Sequence, residues 1–210
     1  MLLSKDHPNG IIDRELYSLM FNKEMYLMAY DILKSKPGNK TLGLNPETLD
    51  GLSSEWIEEI IIEMKNQSFQ FKPARRIMIP KANGKVRPLT IASPRDKIIQ
   101  QVKLNILNPI FEPTFSDNSH GFRPGRSCHT ALNSISNKFQ ISSWTIEGDI
   151  KACFDSFDHN ILMKIISGRI KDQRMINLLW KSLRVGYGAP GKIVEANIIG
   201  TPQGSILSPF

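Results

Sequence analysis

The stretch that decides the fold is residues 144–159, Trp-Thr-Ile-Glu-Gly-Asp-Ile-Lys-Ala-Cys-Phe-Asp-Ser-Phe-Asp-His. Over residues 144–150 apolar and polar side chains alternate, which predicts a β-strand with one buried face. Gly148 falls on the apolar face, where its missing side chain leaves room for a close neighbour. The sequence therefore predicts a strand that packs against the interior.

Asp149 lies on the polar face of this predicted strand, near its end. Residues 154–160 then turn the chain, and apolar spacing predicts a helix over residues 160–170 with Asp158 as its N-cap. A carboxylate held at the end of a rigid strand is well placed to bind a divalent metal ion. A single aspartate at a strand end is more often a turn former or a cap, so the metal hypothesis depends on the rest of the chain.

Positive charge is concentrated in one part of the sequence. The 210 residues carry a formal net charge of +7, with 27 Lys plus Arg against 20 Asp plus Glu. Residues 65–103 contain ten basic residues and one acid, Asp96, for a net charge of +9, so the remainder of the chain is at −2. Phe69 and Phe71 lie among these charges. A local basic patch of this kind indicates that a polyanion binds at one place.

Cysteine usage and hydropathy bear on the compartment. Cys128 and Cys153 form no CxxC pair and, taken with His129 and His159, match no standard zinc spacing. Free thiols favour a reducing compartment. Residues 1–10 lack the apolar core of a signal peptide, and no apolar run approaches the length of a membrane span. We therefore expect no membrane partner.

Caps and apolar spacing predict the helices and the remaining elements. Helices are expected to begin after Asn22, at Ser53 or Ser54, after Ser93 and after Ser127, and a further helix is expected over residues 175–183. The helix that begins after Ser93 is expected to end before an irregular stretch that follows Pro109. Residues 186–191 are expected to form a loop, and residues 194–199 a strand.

Residues 75–91 carry the clearest hairpin signal. Asn83-Gly84 is typical of a type I′ turn and lies between two runs with strand patterning. Lys81, Lys85 and Arg87 lie along the hairpin. A mobile hairpin with Lys and Arg supplies donors that can close over a triphosphate. The alternative is a basic hairpin that only binds an RNA backbone.

Four sequence blocks together resemble the reverse transcriptases (maturases) of group II introns. One is Glu-Gly-Asp-Ile-Lys at 147–151, with Phe-Asp at 154–155 and Asp-His at 158–159; another is the hairpin, with Ile-Pro-Lys at 79–81 and Gly-Lys-Val-Arg-Pro-Leu at 84–89. The others are His-Gly-Phe-Arg-Pro-Gly-Arg-Ser at 120–127, and Gly-Thr-Pro-Gln-Gly at 200–204 followed by Ser-Pro at 208–209. The block at 120–127 is specific to the group II intron type and its close relatives.

The resemblance implies a role for each block. It implies that Asp149 is catalytic and that Asp149 and the carbonyl of Ile150 hold Mg²⁺. It also implies a set of nucleotide-binding residues: Lys81, Arg87, Phe154, Gln203 and Gly204. Phe154 would be the ribose gate that excludes a 2′-hydroxyl, and Gln203 would lie against the nascent base pair. RNA or template contacts are implied for four arginines: Arg75, Arg76, Arg123 and Arg126.

The fold that the resemblance implies is α+β, with the fingers and an incomplete palm of a right-hand polymerase. It would be rich in helices, with a β-hairpin and a small antiparallel sheet. We expect a helical N-terminal extension over residues 1–70, fingers with the basic hairpin over 71–140 and a partial palm over 141–210.

The resemblance stops before one element that the chemistry needs. Two-metal phosphoryl transfer requires several carboxylates, and the family supplies the others from a Tyr-x-Asp-Asp hairpin that the 210 residues do not contain. We therefore expect these 210 residues alone not to polymerise. Whether the sequence is a fragment of a longer reading frame or a degenerate relic stays open.

The expected function is that of an RNA-directed DNA polymerase of the group II intron type, with a maturase role in intron splicing and mobility. Its partners would be group II intron RNA, an RNA template with a DNA primer, and dNTP. The alternatives are a non-catalytic RNA-binding splicing cofactor and a non-intron, retron-like reverse transcriptase. We expect a mitochondrial, organelle-encoded protein, with the bacterial cytoplasm as the alternative.

Overall fold

The computed structural model describes residues 10–13, 15–38, 41–82, 84–189, 197–201 and 204–208. The α-helices are α1 (Lys23–Lys34), α2 (Ser54–Lys65), α3 (Pro94–Phe111), α4 (Cys128–Lys138), α5 (Cys153–Ser156), α6 (His159–Arg169) and α7 (Gln173–Arg184). Short 3₁₀ helices cover Leu16–Phe21, Leu49–Gly51 and Glu112–Thr114. The strands are β1 (Ala74–Pro80), β2 (Val86–Ile91) and β3 (Tyr187–Gly188).

Side-chain caps fix where the helices begin, as the sequence predicts. The Ser53 hydroxyl accepts a hydrogen bond from the Trp56 amide, and the Ser93 hydroxyl accepts one from the Asp96 amide. Ser127 and Thr130 form a reciprocal capping box, and the Asp158 carboxylate accepts two amides at the start of α6. The predicted end of α3 is wrong, because the helix continues through Pro109 to Phe111.

The hairpin prediction is confirmed, and the sheet around it is mixed. β1 and β2 pair antiparallel, from Arg75 opposite Ile91 to Pro80 opposite Val86. β3 pairs parallel to β1, so the strand order is β2-β1-β3 and the predicted antiparallel sheet is wrong in this respect. The same short strand lies where a loop was expected. Asn83 lies outside the described residues, so the type I′ turn stays a prediction.

One hydrophobic cluster joins five of the helices, α1, α2, α3, α6 and α7. Its fully buried members include Tyr26 of α1, Met64 of α2, Ile98 of α3 and Met175 of α7. The cluster therefore draws residues from each of the three segments expected from the sequence. The boundaries of those segments, at residues 70 and 140, stay predictions.

The first described residues are tied to helices far along the chain. Ile12 forms a parallel bridge with Ile170, and one guanidinium nitrogen of Arg169 donates to the carbonyl of Gly10 at 2.5 Å. The Tyr17 amide donates to the Asp172 carboxylate at 2.7 Å. Contacts across more than 150 residues thus close the N-terminal part of the chain onto α6 and α7.

The strand predicted over residues 144–150 is wrong. The structure describes each of these residues and shows no strand there, with Trp144 89% exposed and Ile146 97% exposed. A Cβ on Gly148 would meet nothing within 4 Å, so the expected close neighbour is absent among the described residues. A strand is stable only when another strand or a packed layer satisfies it, and alternation in sequence does not supply that partner. In the second predicted strand, residues 194–196 lie outside the described residues and residues 197–199 are not a strand.

Helix α4 is equally uncovered. None of its residues is buried, and its apolar stripe leaves Leu132 62% exposed and Ile135 53% exposed. Large apolar side chains of α4 and of residues 139–150 are thus left mostly exposed in the described part of the chain. As for membranes, none of the described helices combines the length and apolarity that crossing a bilayer requires.

Candidate nucleotide and template site

Gly200 and Thr201, at the start of the 200–204 segment, pack directly against the Phe154 turn (residues 154–157). The Thr201 amide donates to the Phe154 carbonyl at 2.6 Å, and the Gly200 amide donates to the Phe157 carbonyl at 2.9 Å. Gly200 has φ +74°, and a Cβ there would collide with the Phe154 carbonyl. Only glycine combines this backbone conformation with so close an approach. The structure thus brings two predicted site blocks together.

The same segment rests on the base of the hairpin. Gly204 has φ +107°, and a Cβ on it would lie 2.5 Å from the Thr90 carbonyl of β2. The Ser205 hydroxyl and the Ile206 amide both donate to Gln100 Oε1 of α3, each at 3.1 Å. Gln203, which the resemblance places against the base pair, lies outside the described residues. Its neighbour Gly204 is a described member of this block and touches the hairpin.

His159 and Asn197 hold the other end of the segment. His159 is buried, and its Nε2 lies 2.5 Å from the Gly200 carbonyl, which also accepts the Asn197 side-chain amide at 3.2 Å. A carbonyl only accepts, so the proton of His159 is on Nε2. The His159 ring also packs edge-on against Trp180, with 6.4 Å between ring centroids. Sequence reasoning missed both residues, and the available signal was a histidine directly after a helix cap.

A cavity of about 480 Å³ lies between β2, α3, the Phe154 turn, α6 and α7. Its lining is largely apolar and includes Phe71, Thr90, Gln100, Phe154, Thr201 and Ser205. Phe154 is half-buried on this wall. The predicted ribose gate therefore lines a largely apolar pocket beside Thr201, and small-molecule sites are commonly of this kind.

The predicted metal ligands, in contrast to Phe154, lie on an exposed part of the chain. Asp149 is exposed, and Ile150 is 74% exposed, in an irregular segment. The carboxylate of Asp149 and the carbonyl of Ile150 are hard oxygen donors of the kind that Mg²⁺ takes, and one carboxylate is a common protein contribution. Among the described residues there is no group of three or more His, Cys, Asp and Glu that would hold a metal ion. The donors fit one magnesium ion in kind and do not by themselves form a two-ion centre.

The basic residues of the hairpin differ in exposure and in their contacts with the rest of the chain. Lys81 and Arg87 are exposed near the tip, where the Lys81 amide donates to the Lys85 carbonyl at 2.6 Å. Arg75 is half-buried, and the Arg76 guanidinium lies 4.2 Å from the centroid of the Tyr187 ring. The charges nearest the tip are thus presented to solvent, and Arg76 joins β1 to β3.

The two arginines of the 120–127 block bind the chain itself. Arg123 pairs with Glu112 at 2.8 Å and donates to the carbonyls of Ser116 and Ser119 at 2.6 and 3.0 Å. Arg126 pairs with Asp117 at 3.2 Å. These contacts organise the loop between α3 and α4. An RNA contact by either arginine stays a prediction.

Lys103 is a departure from the expected basic patch. It is fully buried, its Nζ has no hydrogen-bond partner among the residues that the structure describes, and it lies 4.5 Å from the centroid of the Phe71 ring. Burial lowers the pKa of Lys103 to about 7, against which the charge of Asp96 acts weakly. Burial likewise raises the pKa of Asp96 to about 6. Lys103 therefore cannot contact a polyanion at the surface.

Comparison with known proteins agrees with these blocks. Residues 79–210 match the family described as reverse transcriptase (RNA-dependent DNA polymerase). The chain is 53% identical over 208 residues to the uncharacterized 91 kDa protein in cob intron of Schizosaccharomyces pombe, covering 99% of this chain and 26% of that protein. It is 45% identical over 211 residues to the group II intron-encoded protein LtrA of Lactococcus lactis subsp. cremoris, covering 99% and 35%.

A shorter match is to the protein named nuclear intron maturase 1, mitochondrial, of Arabidopsis thaliana, 35% identical over 106 residues. It covers 49% of this chain and 15% of that protein. The chain thus spans about a third or less of each of these three relatives. The match to the family covers more than half of the chain. It includes the hairpin strand β2, the Phe154 turn and the 200–204 segment. The chain therefore belongs to the reverse transcriptase (RNA-dependent DNA polymerase) family.

Proposed function

We propose that the chain is the fingers and partial palm of an RNA-directed DNA polymerase of the group II intron type. The observation that carries the proposal is that the 200–204 segment, the Phe154 turn and the base of the basic hairpin meet in one place. These are the blocks that resemble the nucleotide site of such enzymes. In this proposal residues 1–70 are an RNA-contacting extension, residues 71–140 the fingers and residues 141–210 the incomplete palm.

Each side chain has a physical task in this proposal. Lys81 and Arg87, exposed on the hairpin, bind the triphosphate, with Arg87 as a bidentate donor. Phe154 fills the space that a 2′-hydroxyl needs, and Gly204 lets the backbone approach the nascent base pair. Asp149 and the Ile150 carbonyl would hold Mg²⁺, which neutralises phosphate charge when it is bound.

The nucleic-acid partners follow from the same surface. Arg75 and Arg76 lie at the base of the hairpin, and Arg126 is partly exposed beyond it, so a template or intron RNA would lie along this side. Arg123 would act there through the loop that it holds together. The relatives include a bacterial protein and one named mitochondrial, so a mitochondrial protein and a bacterial one both accord with the similarity.

A second candidate function is a non-catalytic RNA-binding splicing cofactor. One observation favours it: Lys81 and Arg87 are exposed on the hairpin, where they would bind an RNA backbone without any metal ion. A retron-like enzyme would share the polymerase blocks, and an intron RNA flanking the gene would exclude that reading.

Substitution of Asp149 in the full-length protein distinguishes the polymerase from the cofactor. Asp149→Ala should lower primer extension on an RNA template by about 1,000-fold or more, because a metal ligand is worth several kcal/mol of transition-state stabilisation. Intron splicing, measured in parallel, should persist. The matched control is Glu147→Ala, an exposed acid two residues away, which should leave extension unchanged. Unchanged extension in the Asp149 variant would contradict the polymerase proposal.

A further inference from the structure

Gln100 connects the fingers helix α3 to the residues that follow the 200–204 segment. Its side chain is buried, and its oxygen Oε1 accepts from the Ser205 hydroxyl and from the Ile206 amide, each at 3.1 Å. Because the Ile206 N–H can only donate, the amide orientation of Gln100 follows from its partners. One oxygen therefore anchors two consecutive residues of the loop.

The anchor lies next to the close approach at Gly204. Gly204 contacts the Thr90 carbonyl and Leu89 of β2, and Ser205 is the next residue along the chain. If the Gln100 oxygen is removed, the Ile206 amide and the Ser205 hydroxyl lose their partner, and a polar group left unsatisfied in a buried place is costly. The loop would then shift away from β2.

We propose that Gln100 is a positioning residue that fixes residues 204–206 against β2 and thereby sets the affinity for the incoming nucleotide. The second half of this inference, the effect on nucleotide affinity, rests on the proposed polymerase function. The first half concerns the chain itself and is testable without any nucleotide. Gln100 touches neither metal nor triphosphate in this proposal, so its effect is transmitted through Gly204 and its neighbours.

Hydrogen exchange in the 210-residue chain tests the first half. Gln100→Leu keeps the size of the side chain and removes the acceptor, so the Ile206 amide should exchange about tenfold faster or more. Gln100→Glu keeps an acceptor oxygen in either protonation state and should restore most of the protection. The matched control is Gln101→Leu, since Gln101 is also buried and bonds to Asn105 of its own helix. Unchanged exchange at Ile206 in Gln100→Leu would overturn the inference.

Steady-state kinetics in the full-length protein test the second half. Gln100→Leu should raise KM for dNTP about tenfold with a smaller change in kcat, Gln100→Glu should recover most of it, and Gln101→Leu should resemble the wild type. An equal fall in kcat for both leucine variants would indicate general loss of structure and overturn the positioning role. Should the wild-type protein extend no primer while exchange at Ile206 behaves as described, the proposed function fails and the anchoring of the loop stands.

Discussion

At the scale of single residues, Lys103 is the feature most at odds with its surroundings. Its ammonium is fully buried beside Phe71 without a hydrogen-bond partner, although Asp96 lowers the cost through its charge. Burying a charge that lacks a bonded partner is unfavourable, whereas an apolar side chain of the same length suits the site. Lys103 therefore destabilises the fold at neutral pH.

Lys103→Met should raise the free energy of unfolding at pH 6 by about 1–4 kcal/mol, as when buried ionic groups are replaced by apolar ones. In the wild type the unfolded state binds a proton at Lys103 between pH 7 and the usual lysine pKa of 10.5, where the native state does not. Stability should therefore rise with pH across that window, and the variant should lose this rise. Denaturant titrations at pH 6 and pH 9.5 measure both effects.

The exposed Lys151 provides the control for this prediction. Lys151→Met should leave the unfolding free energy and its pH dependence close to those of the wild type. Asp96, with its pKa raised to about 6, is partly protonated in the native state at pH 6, so a third titration at pH 7.5 separates its contribution from the rise that Lys103 causes above pH 7. A Lys103 variant that keeps the wild-type rise above pH 7 would contradict the assignment.

At the scale of elements, signals that lie within a few residues were sufficient to predict where helices begin. The caps at Ser53, Ser127 and Asp158 act on amides two or three residues away, so the sequence alone places the helix starts. Strand β3 was missed because its two residues pair with β1, more than a hundred positions earlier. The strand predicted over residues 144–150 was wrong for the converse reason: its pattern is local and its partner is not.

The residues of the candidate site were likewise predictable only where a local motif names them. The motif blocks named Phe154 and Gly204 in advance, and the structure places Gly200 and Thr201 of the same block against Phe154 and Gly204 against the hairpin. Gln100 and His159 bind this segment from elements distant in sequence, so the motif blocks, although one of them includes His159, do not reveal these contacts. The roles of Asp149, Lys81 and Arg87 in catalysis stay predictions.

The hairpin as an element gives a prediction of its own. In the full-length protein, Lys81→Ala and Arg87→Ala should each raise KM for dNTP by about 10- to 100-fold, because each loses a charge-assisted contact to the triphosphate. The effect should shrink at high salt. Lys164→Ala, an exposed lysine on α6, is the control and should leave KM unchanged. Equal KM values in all variants would show that the hairpin binds only the RNA backbone.

At the scale of the whole molecule, the charge distribution separates binding from catalysis. Residues 79–210, which match the polymerase family, include the tip and the second strand of the basic hairpin. The described part of the chain holds no cluster of acids for two metal ions. Attraction between the basic face and RNA needs no metal centre. We therefore expect the 210-residue chain to bind RNA without polymerising DNA.

The purified 210-residue chain should bind single-stranded RNA and extend no primer with Mg²⁺. A plot of log affinity against log salt should have a slope of about −2 or steeper, which corresponds to about three neutralised phosphates. Fluorescence anisotropy measures the first quantity, and a primer-extension assay on an RNA template the second. Detectable extension by this chain would contradict the prediction, and a flat salt dependence would contradict the basic binding face.

The bonds between the earliest described residues and α6 and α7 also constrain how the chain acquires its shape during synthesis. Ile12 and Tyr17 find their partners at Ile170 and Asp172, so these contacts form only after the ribosome has released most of the sequence. Until then Leu16, Tyr17 and Met20 have no complete interior to enter. Residues 12–20 must therefore wait, as part of a nascent peptide, until residues 170–172 have been synthesised.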